Sequence, residues 1–184
     1  MLTGYVAGPK DTEGGSGSNL LCVPARPEWQ TSGGSPADDV DQVRGELVGA
    51  MYSRDVHNLF SLENNGNAEL FKHLATCVVC HVTRRSSVLM IPAMTQCPNG
   101  WAMEYSGVLM SSPNDSRRGL PGMVLHRLKR SSYECWDGAP EGIAVPGPRS
   151  VNTATVLPVE VICGTLPCDS YASGQDVNCV VCSK

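Results

Sequence analysis

The chain is poor in charge, in aromatic rings and in long apolar runs. Charged residues make up 17% of its 184 residues, with a formal net charge of −4. A chain without a basic field has little to neutralise phosphates with, which argues against nucleic acid as a partner. No stretch approaches the roughly 20 consecutive apolar residues of a membrane-spanning helix, which argues against a membrane partner. Aromatic residues are only 5%, yet hydrophobic residues reach 41% and are spread along the chain, so a disordered chain is also excluded. What is abundant is punctuation. Nineteen glycines and 13 prolines imply short elements separated by turns.

Cysteine is the strongest signal. Nine are present: Cys22, Cys77, Cys80, Cys97, Cys135, Cys163, Cys168, Cys179 and Cys182. That density in a short chain fits an oxidising compartment, where bridges supplement a modest core. The first residues, Met1-Leu2-Thr3-Gly4-Tyr5, carry neither a basic start nor an apolar signal run. The odd count, and a strand-like Leu2–Ala7 at the very start, lead us to expect a chain that opens inside a domain, with one partner cysteine upstream. A true start with one free thiol is the alternative.

The chain also resembles itself. Cys77-Val78-Val79-Cys80 recurs 102 residues later as Cys179-Val180-Val181-Cys182, and Gly4, in Leu2-Thr3-Gly4-Tyr5-Val6, finds a counterpart 103 residues on at Gly107, in Tyr105-Ser106-Gly107-Val108-Leu109. Cys22 and Cys135 follow those glycines in turn. Two landmarks with nearly one offset point to a tandem duplication. The second copy opens at Cys97-Pro98-Asn99-Gly100-Trp101, which divides the chain into subdomains 1–84 and 85–184, joined through Arg84-Arg85-Ser86-Ser87. The joint runs at once into the apolar Val88-Leu89-Met90-Ile91, so the halves are expected to pack on each other. Strands are expected over Met103–Met110, Thr155–Cys163 and Glu46–Tyr52, with a weaker candidate at Val124–Leu128. Turns are expected at Gly14-Gly15, Gly33-Gly34, Pro113-Asn114-Asp115, Pro121-Gly122 and Pro146-Gly147-Pro148. Asp38–Met51 has some helical spacing through Val40, Val43, Leu47 and Met51, but Gly45 and Gly49 each weaken a helix by about 1 kcal/mol. The fold class is mostly β.

Several residue sets invite other chemistry. Two Cys-x-x-Cys pairs are a common structural zinc ligand set, but a separation of about a hundred residues, five further cysteines and the duplication favour bridges. No βαβ pattern surrounds either pair, against a thioredoxin-like role. His57, His73, His81 and His126 could in principle serve a cysteine nucleophile, yet none sits in a recognisable signature and a bridged thiol cannot attack. No enzyme and no cofactor is expected. Arg117, Arg118, Arg127, Lys129 and Arg130 form the one basic cluster, which reads either as a solvated face or as a patch for a sulfated glycan or acidic partner. Asn114-Asp115-Ser116 is a candidate N-glycosylation acceptor in a turn. Trp29, Trp101 and Trp136 read as core or cysteine-adjacent packing.

Cys97-Pro98-Asn99-Gly100-Trp101 followed by Glu104-Tyr105-Ser106-Gly107 resembles the opening of each half of the type IV collagen C-terminal non-collagenous domain. Cys163-Gly164-Thr165-Leu166-Pro167-Cys168 is similar to the short cysteine loop of that repeat, and Cys179-Val180-Val181-Cys182-Ser183-Lys184 to its end. Arg85-Ser86-Ser87-Val88-Leu89-Met90-Ile91-Pro92 is similar to the short-chain, spongin-like collagens. Two departures stand out: the first half has no opening cysteine and no central cysteine loop, and no Gly-X-Y run occurs. The resemblance implies bridges Cys97–Cys182, Cys135–Cys179, Cys163–Cys168 and Cys22–Cys77, with Cys80 left for an upstream partner. Members of a Cys-x-x-Cys on a strand face opposite ways, which suits two different partners. A loop the size of Cys97–Cys182 is assigned roughly 4 kcal/mol by the chain-entropy model. The resemblance further implies a secreted, extracellular-matrix structural protein, a homo- or heterotrimer of this domain or a higher assembly in contact with other matrix components, that sets chain register for collagen. The alternative is a secreted recognition module that binds glycan or protein through the basic patch.

Overall fold

The computed structural model describes residues 2–10, 17–29, 45–52, 59–60, 70–112, 131–145 and 153–184. The described residues hold ten strands and no helix: β1 (Leu2–Gly8), β2 (Leu21–Pro24), β3 (Val48–Tyr52), β4 (His73–Val79), β5 (Val88–Pro92), β6 (Ala102–Ser111), β7 (Glu134–Asp137), β8 (Gly142–Ala144), β9 (Ala154–Pro158) and β10 (Asn178–Ser183). The punctuation in the sequence explains their brevity. Most are seven residues or fewer, bounded by Pro, Gly or Ser.

The strands form one hydrogen-bonded sheet in the order β2-β1-β4-β3-β9-β6-β10-β5, with β7 beside β6 and β8 beside β4. Nearly all neighbours are antiparallel; β3 and β9 run parallel, with Ala50 opposite Ala154 and Tyr52 opposite Val156. The halves of the chain therefore share a sheet, as the short joint suggests. They exchange material as well. β8 comes from the second half of the chain but lies on β4, with His73 opposite Ala144 and Ala75 opposite Gly142.

The strand expected over Glu46–Tyr52 is present as β3, Val48–Tyr52, where Gly49 sits opposite Ala7 and a backbone ladder outweighs the weak helical spacing of Asp38–Met51. One expectation needs correction. Thr155–Cys163 is not one strand. β9 ends at Pro158, which has no N–H to continue a ladder, and the chain goes on as an isolated bridge between Glu160 and Asp176. The Val124–Leu128 strand, and the turns at Gly14-Gly15, Gly33-Gly34, Pro113-Asn114-Asp115, Pro121-Gly122 and Pro146-Gly147-Pro148, fall at least partly outside the described residues.

Apolar side chains from both halves meet between the central strands. Tyr52, Phe60, Leu70 and Ala75 pack with Val108, Met110 and Val156. Tyr52 is the pivot: its ring meets Trp136 edge-on at 5.3 Å and Phe60 at 6.4 Å, each a favourable T-shaped contact. A second cluster surrounds a bridge, with Leu109, Cys135 and Cys179 flanked by Met90, Tyr105 and Val181.

Candidate functional site

Four disulfides staple the sheet. Cys22 is joined to Cys77, Cys97 to Cys182, Cys135 to Cys179 and Cys163 to Cys168. Cys80 is free and exposed. The first three bridges all end on β4 or β10, the strands that carry the two Cys-Val-Val-Cys motifs. Cys179 and Cys182 are fully buried on β10. Such a set of bridges is compatible with an extracellular protein.

The strand registers of the two halves run in step. Gly4 faces Cys77 on β4, and Gly107 faces Cys179 on β10. Val6 faces Cys22, and Leu109 faces Cys135. Ala7 faces Gly49 on β3, as Met110 faces Pro158 on β9. Met51 faces Leu74, as Glu160 faces Asp176. Even the turns agree, since Ala25 N donates to Thr3 O at 3.2 Å and Gly138 N to Ser106 O at 3.0 Å. The glycines have one cause in both places. A Cβ on Gly4 would lie 1.8 Å from the carbonyl oxygen of Val23, and one on Gly107 would lie 1.7 Å from that of Trp136. No side chain fits there, so glycine is required for β1 to meet β2 and for β6 to meet β7.

Where the halves differ is the outer edge of the central strand. On β10 the stretch Cys179–Ser183 is covered by β5, with Val180 opposite Ile91 and Cys182 opposite Leu89. On β4 it is the other end, His73–Ala75, that is covered by β8. This cover is firmly tied: the Glu141 carbonyl accepts from the Tyr52 hydroxyl at 3.0 Å and from Thr76 Oγ1 at 3.2 Å. The Nδ1 of His73, beneath β8, is buried without a hydrogen-bond partner. Among the described residues no strand lies on the matching stretch of the second half, Gln175–Val177. That edge instead borders an open groove of about 320 Å3, lined by Ala93, Ser170, Tyr171, Gln175, Asp176 and Val177 among others. Its inner side is satisfied, because Val161 N donates to Gln175 O and Val177 N to Val159 O, both at 2.9 Å. Partial burial and the neighbouring Glu160 raise the Asp176 carboxyl above its ordinary range.

The tryptophans do not all pack as expected. Trp136 packs on Tyr52 and Trp101 is half-buried after a turn in which its N–H donates to Pro98 O. Trp29 is 81% exposed. It lies past the end of β2, on the arm Ala25–Trp29, where among the described residues no strand shelters it. The counterpart of this arm in the second half is the stretch leading to β8, and the match includes Pro27-Glu28 with Pro140-Glu141. Asn114, Arg117, Arg118, Arg127, Lys129 and Arg130 lie outside the described residues, as do His57 and His126. Of the two Cys-x-x-Cys pairs, Cys77, Cys179 and Cys182 are drawn into bridges and Cys80 is free, and among the described residues no three of His, Cys, Asp and Glu come together as a metal site would need. The join between the halves is held by a polar clasp that sequence reasoning missed. Arg85 Nη1 donates to Ser183 Oγ at 2.8 Å and pairs with Glu104, which also accepts from the fully buried Ser183 hydroxyl. The spacing of these three residues carries no local pattern; only the pairing of β6 with β10 brings them together.

No family model, curated protein or solved structure matches the chain.

Proposed function

We propose that this is an assembly domain: a duplicated, disulfide-stapled β unit of the kind that ends type IV and short-chain collagens, secreted to the extracellular matrix, which associates as a trimer and brings chains into register. On this reading no residue is catalytic and subdomains 1–84 and 85–184 descend from one ancestor. The observation that carries it is the shared register of the two halves combined with their unequal edges. One arm, β8, finds its strand edge within the chain. Among the described residues the other arm, Ala25–Trp29, and the other edge, Gln175–Val177, have no strand laid beside them. An extended arm and an open edge in one molecule are complementary between copies, and pairing them in a head-to-tail sense builds a ring where the rotation closes. Trp29 stands where β8 has Gly142, and the groove beside Gln175 has room for a large ring where the β4 side, with His73 and Leu70 close by, has none.

The test is sedimentation across a concentration series. A trimer, or an assembly that grows from it, is expected. Asp176→Pro removes an outward N–H from the spare edge without touching the inner bonds made by Val161 and Val177, and should yield monomer with all bridges intact. A wild-type protein that stays monomeric at about 100 μM, far above a ring's working Kd, would sink the proposal.

A further inference from the structure

Cys163–Cys168 stands apart from the other three bridges. Cys22–Cys77 and Cys135–Cys179 each span a shared neighbouring strand, from β2 to β4 across β1 and from β7 to β10 across β6, and Cys97–Cys182 ties the segment before β6 to β10. Cys163–Cys168 ties a loop to itself over a separation of 5, outside every strand. Cys168 is also the only exposed cysteine among the four pairs; Cys22, Cys77, Cys97 and Cys163 are half-buried, and Cys135, Cys179 and Cys182 are buried. The loop does not depend on the bond for its shape. Gly164 N donates to Leu166 O at 2.9 Å, Tyr171 N to Pro167 O at 2.9 Å, and Cys163 N to the Ser173 hydroxyl at 3.0 Å. Opening it therefore costs the fold little, whereas opening a buried bridge disturbs the packing around it. A thiolate needs a straight path to one sulfur, and the buried bridges offer none.

We infer that Cys163–Cys168 is a thiol-exchange site, the one bridge that an accessible thiolate opens while the others stay closed. The incoming sulfur forms a bond to Cys168 Sγ, and the Cys163–Cys168 bond breaks. Its electron pair stays on Cys163 Sγ, which takes a proton from water. The product is a mixed disulfide at Cys168 and a free thiol at Cys163, with no net oxidation or reduction. The reactant class is a small thiol such as glutathione, or an exposed protein thiol such as Cys80 of a second copy.

Native protein is first treated with iodoacetamide to block Cys80, then exposed to graded glutathione without denaturant. New thiols are trapped with N-ethylmaleimide and mapped by mass spectrometry. The expected result is label on Cys163 and a glutathione adduct on Cys168 at about a tenth of the thiol concentration that opens any other bridge. Opening of Cys22–Cys77, the next most accessible bridge, at an equal or lower concentration would overturn the inference. So would an adduct confined to Cys163. A Cys163→Ser/Cys168→Ser variant should melt close to wild type and lose the first step of the titration. Omitting iodoacetamide and glutathione tests the second copy as thiol source: a covalent dimer that maps to Cys80–Cys168 and is absent from both Cys80→Ser and Cys163→Ser/Cys168→Ser assigns the attack to Cys80, and a dimer that maps to Cys80–Cys80 or persists in Cys80→Ser would overturn that assignment.

Discussion

Replacing Gly107 by alanine tests whether the close meeting of β6 and β7 holds the second half together. The added Cβ would sit 1.7 Å from Trp136 O and 2.8 Å from Gly138 N, both backbone atoms. Ordinary carbon–oxygen contact is about 3.3 Å, so the strands must part by roughly 1.5 Å. Strands in a sheet lie about 4.8 Å apart, and N–H···O pairs stretched that far cease to be hydrogen bonds. The bond from Gly138 N to Ser106 O and one of the Val108–Trp136 pair are the first lost. At about 1 kcal/mol each, and about 1 kcal/mol for loosened packing around Leu109 and Cys135, the cost is about 3 kcal/mol. For a chain of this size that is a drop of about 6–12 °C in Tm. The assay is calorimetric melting with bridges intact, against Gly17→Ala, whose Cβ meets nothing within 4 Å. Gly4→Ala should cost about as much as Gly107→Ala, since its Cβ would lie 1.8 Å from Val23 O. If Gly107→Ala melts within about 2 °C of Gly17→Ala, the close approach is not what requires glycine.

Four further expectations follow from single contacts. Tyr52→Phe removes the bond to Glu141 O but leaves that carbonyl its Thr76 donor, so the loss should be about 1 kcal/mol by chemical denaturation. Burial, then Glu141, raises the Tyr52 phenol well above its ordinary 10.0, and burial, then Glu134 and Asp137, raises Tyr105. Both favour the neutral form in the folded state, so their stabilisation is full below pH 10 and is lost as pH rises through the folded values. Absorbance at 295 nm should show two of the five tyrosines ionising late, and Tyr52→Phe should flatten the alkaline loss of stability. Asp176 is raised by burial and by Glu160, so Asp176→Asn should raise Tm at pH 7 and lose that advantage near pH 3, where the carboxyl is protonated anyway. Arg85→Ala leaves Glu104 and the buried Ser183 hydroxyl without their cation and should cost about 1–2 kcal/mol in the same denaturation experiment.

The long apolar strands are legible in the sequence because each carries its own signal. Val88–Ile91 and Val108–Met110 are unbroken apolar runs, and Leu2–Ala7 mixes apolar and β-branched residues around Gly4, so these strands need no context. β7 and β8 are not legible. Glu134-Cys135-Trp136-Asp137 and Gly142-Ile143-Ala144 are too short to show a period, and they become strands only because β6 and β4 offer open edges beside them. The same holds for the clasp of Arg85, Glu104 and Ser183, whose members lie up to 98 residues apart. The exchange of β8 into the first half is of this kind too. Nothing local to Gly142 says which sheet it joins; the decision lies with His73, Leu70 and Tyr52, whose closeness leaves room only for glycine.

On the proposed reading of the two halves as copies, the size of one residue on each arm explains why the halves are unequal. If both arms ended in a residue as small as Gly142, either could lie on either edge, and the chain could close on itself or on a neighbour with similar ease. Gly142 commits one arm to the crowded β4 edge, where a Cβ would meet His73 at 2.8 Å. Trp29 on the other arm cannot follow it there, and the open groove at Gln175–Val177 is the wider of the two places. In the proposed assembly size alone would sort the arms, one inward and one outward, and would discriminate against the wrong pairing by steric clash rather than by a stronger right one. Exchanging the two residues tests this directly. Trp29→Gly with Gly142→Trp should dislodge β8 from β4, visible as loss of the Tyr52–Glu141 bond and earlier ionisation of Tyr52, while Trp29→Gly alone should weaken association and leave the monomer's melting unchanged. A double variant that keeps Tyr52 late-titrating would show that size does not sort the arms.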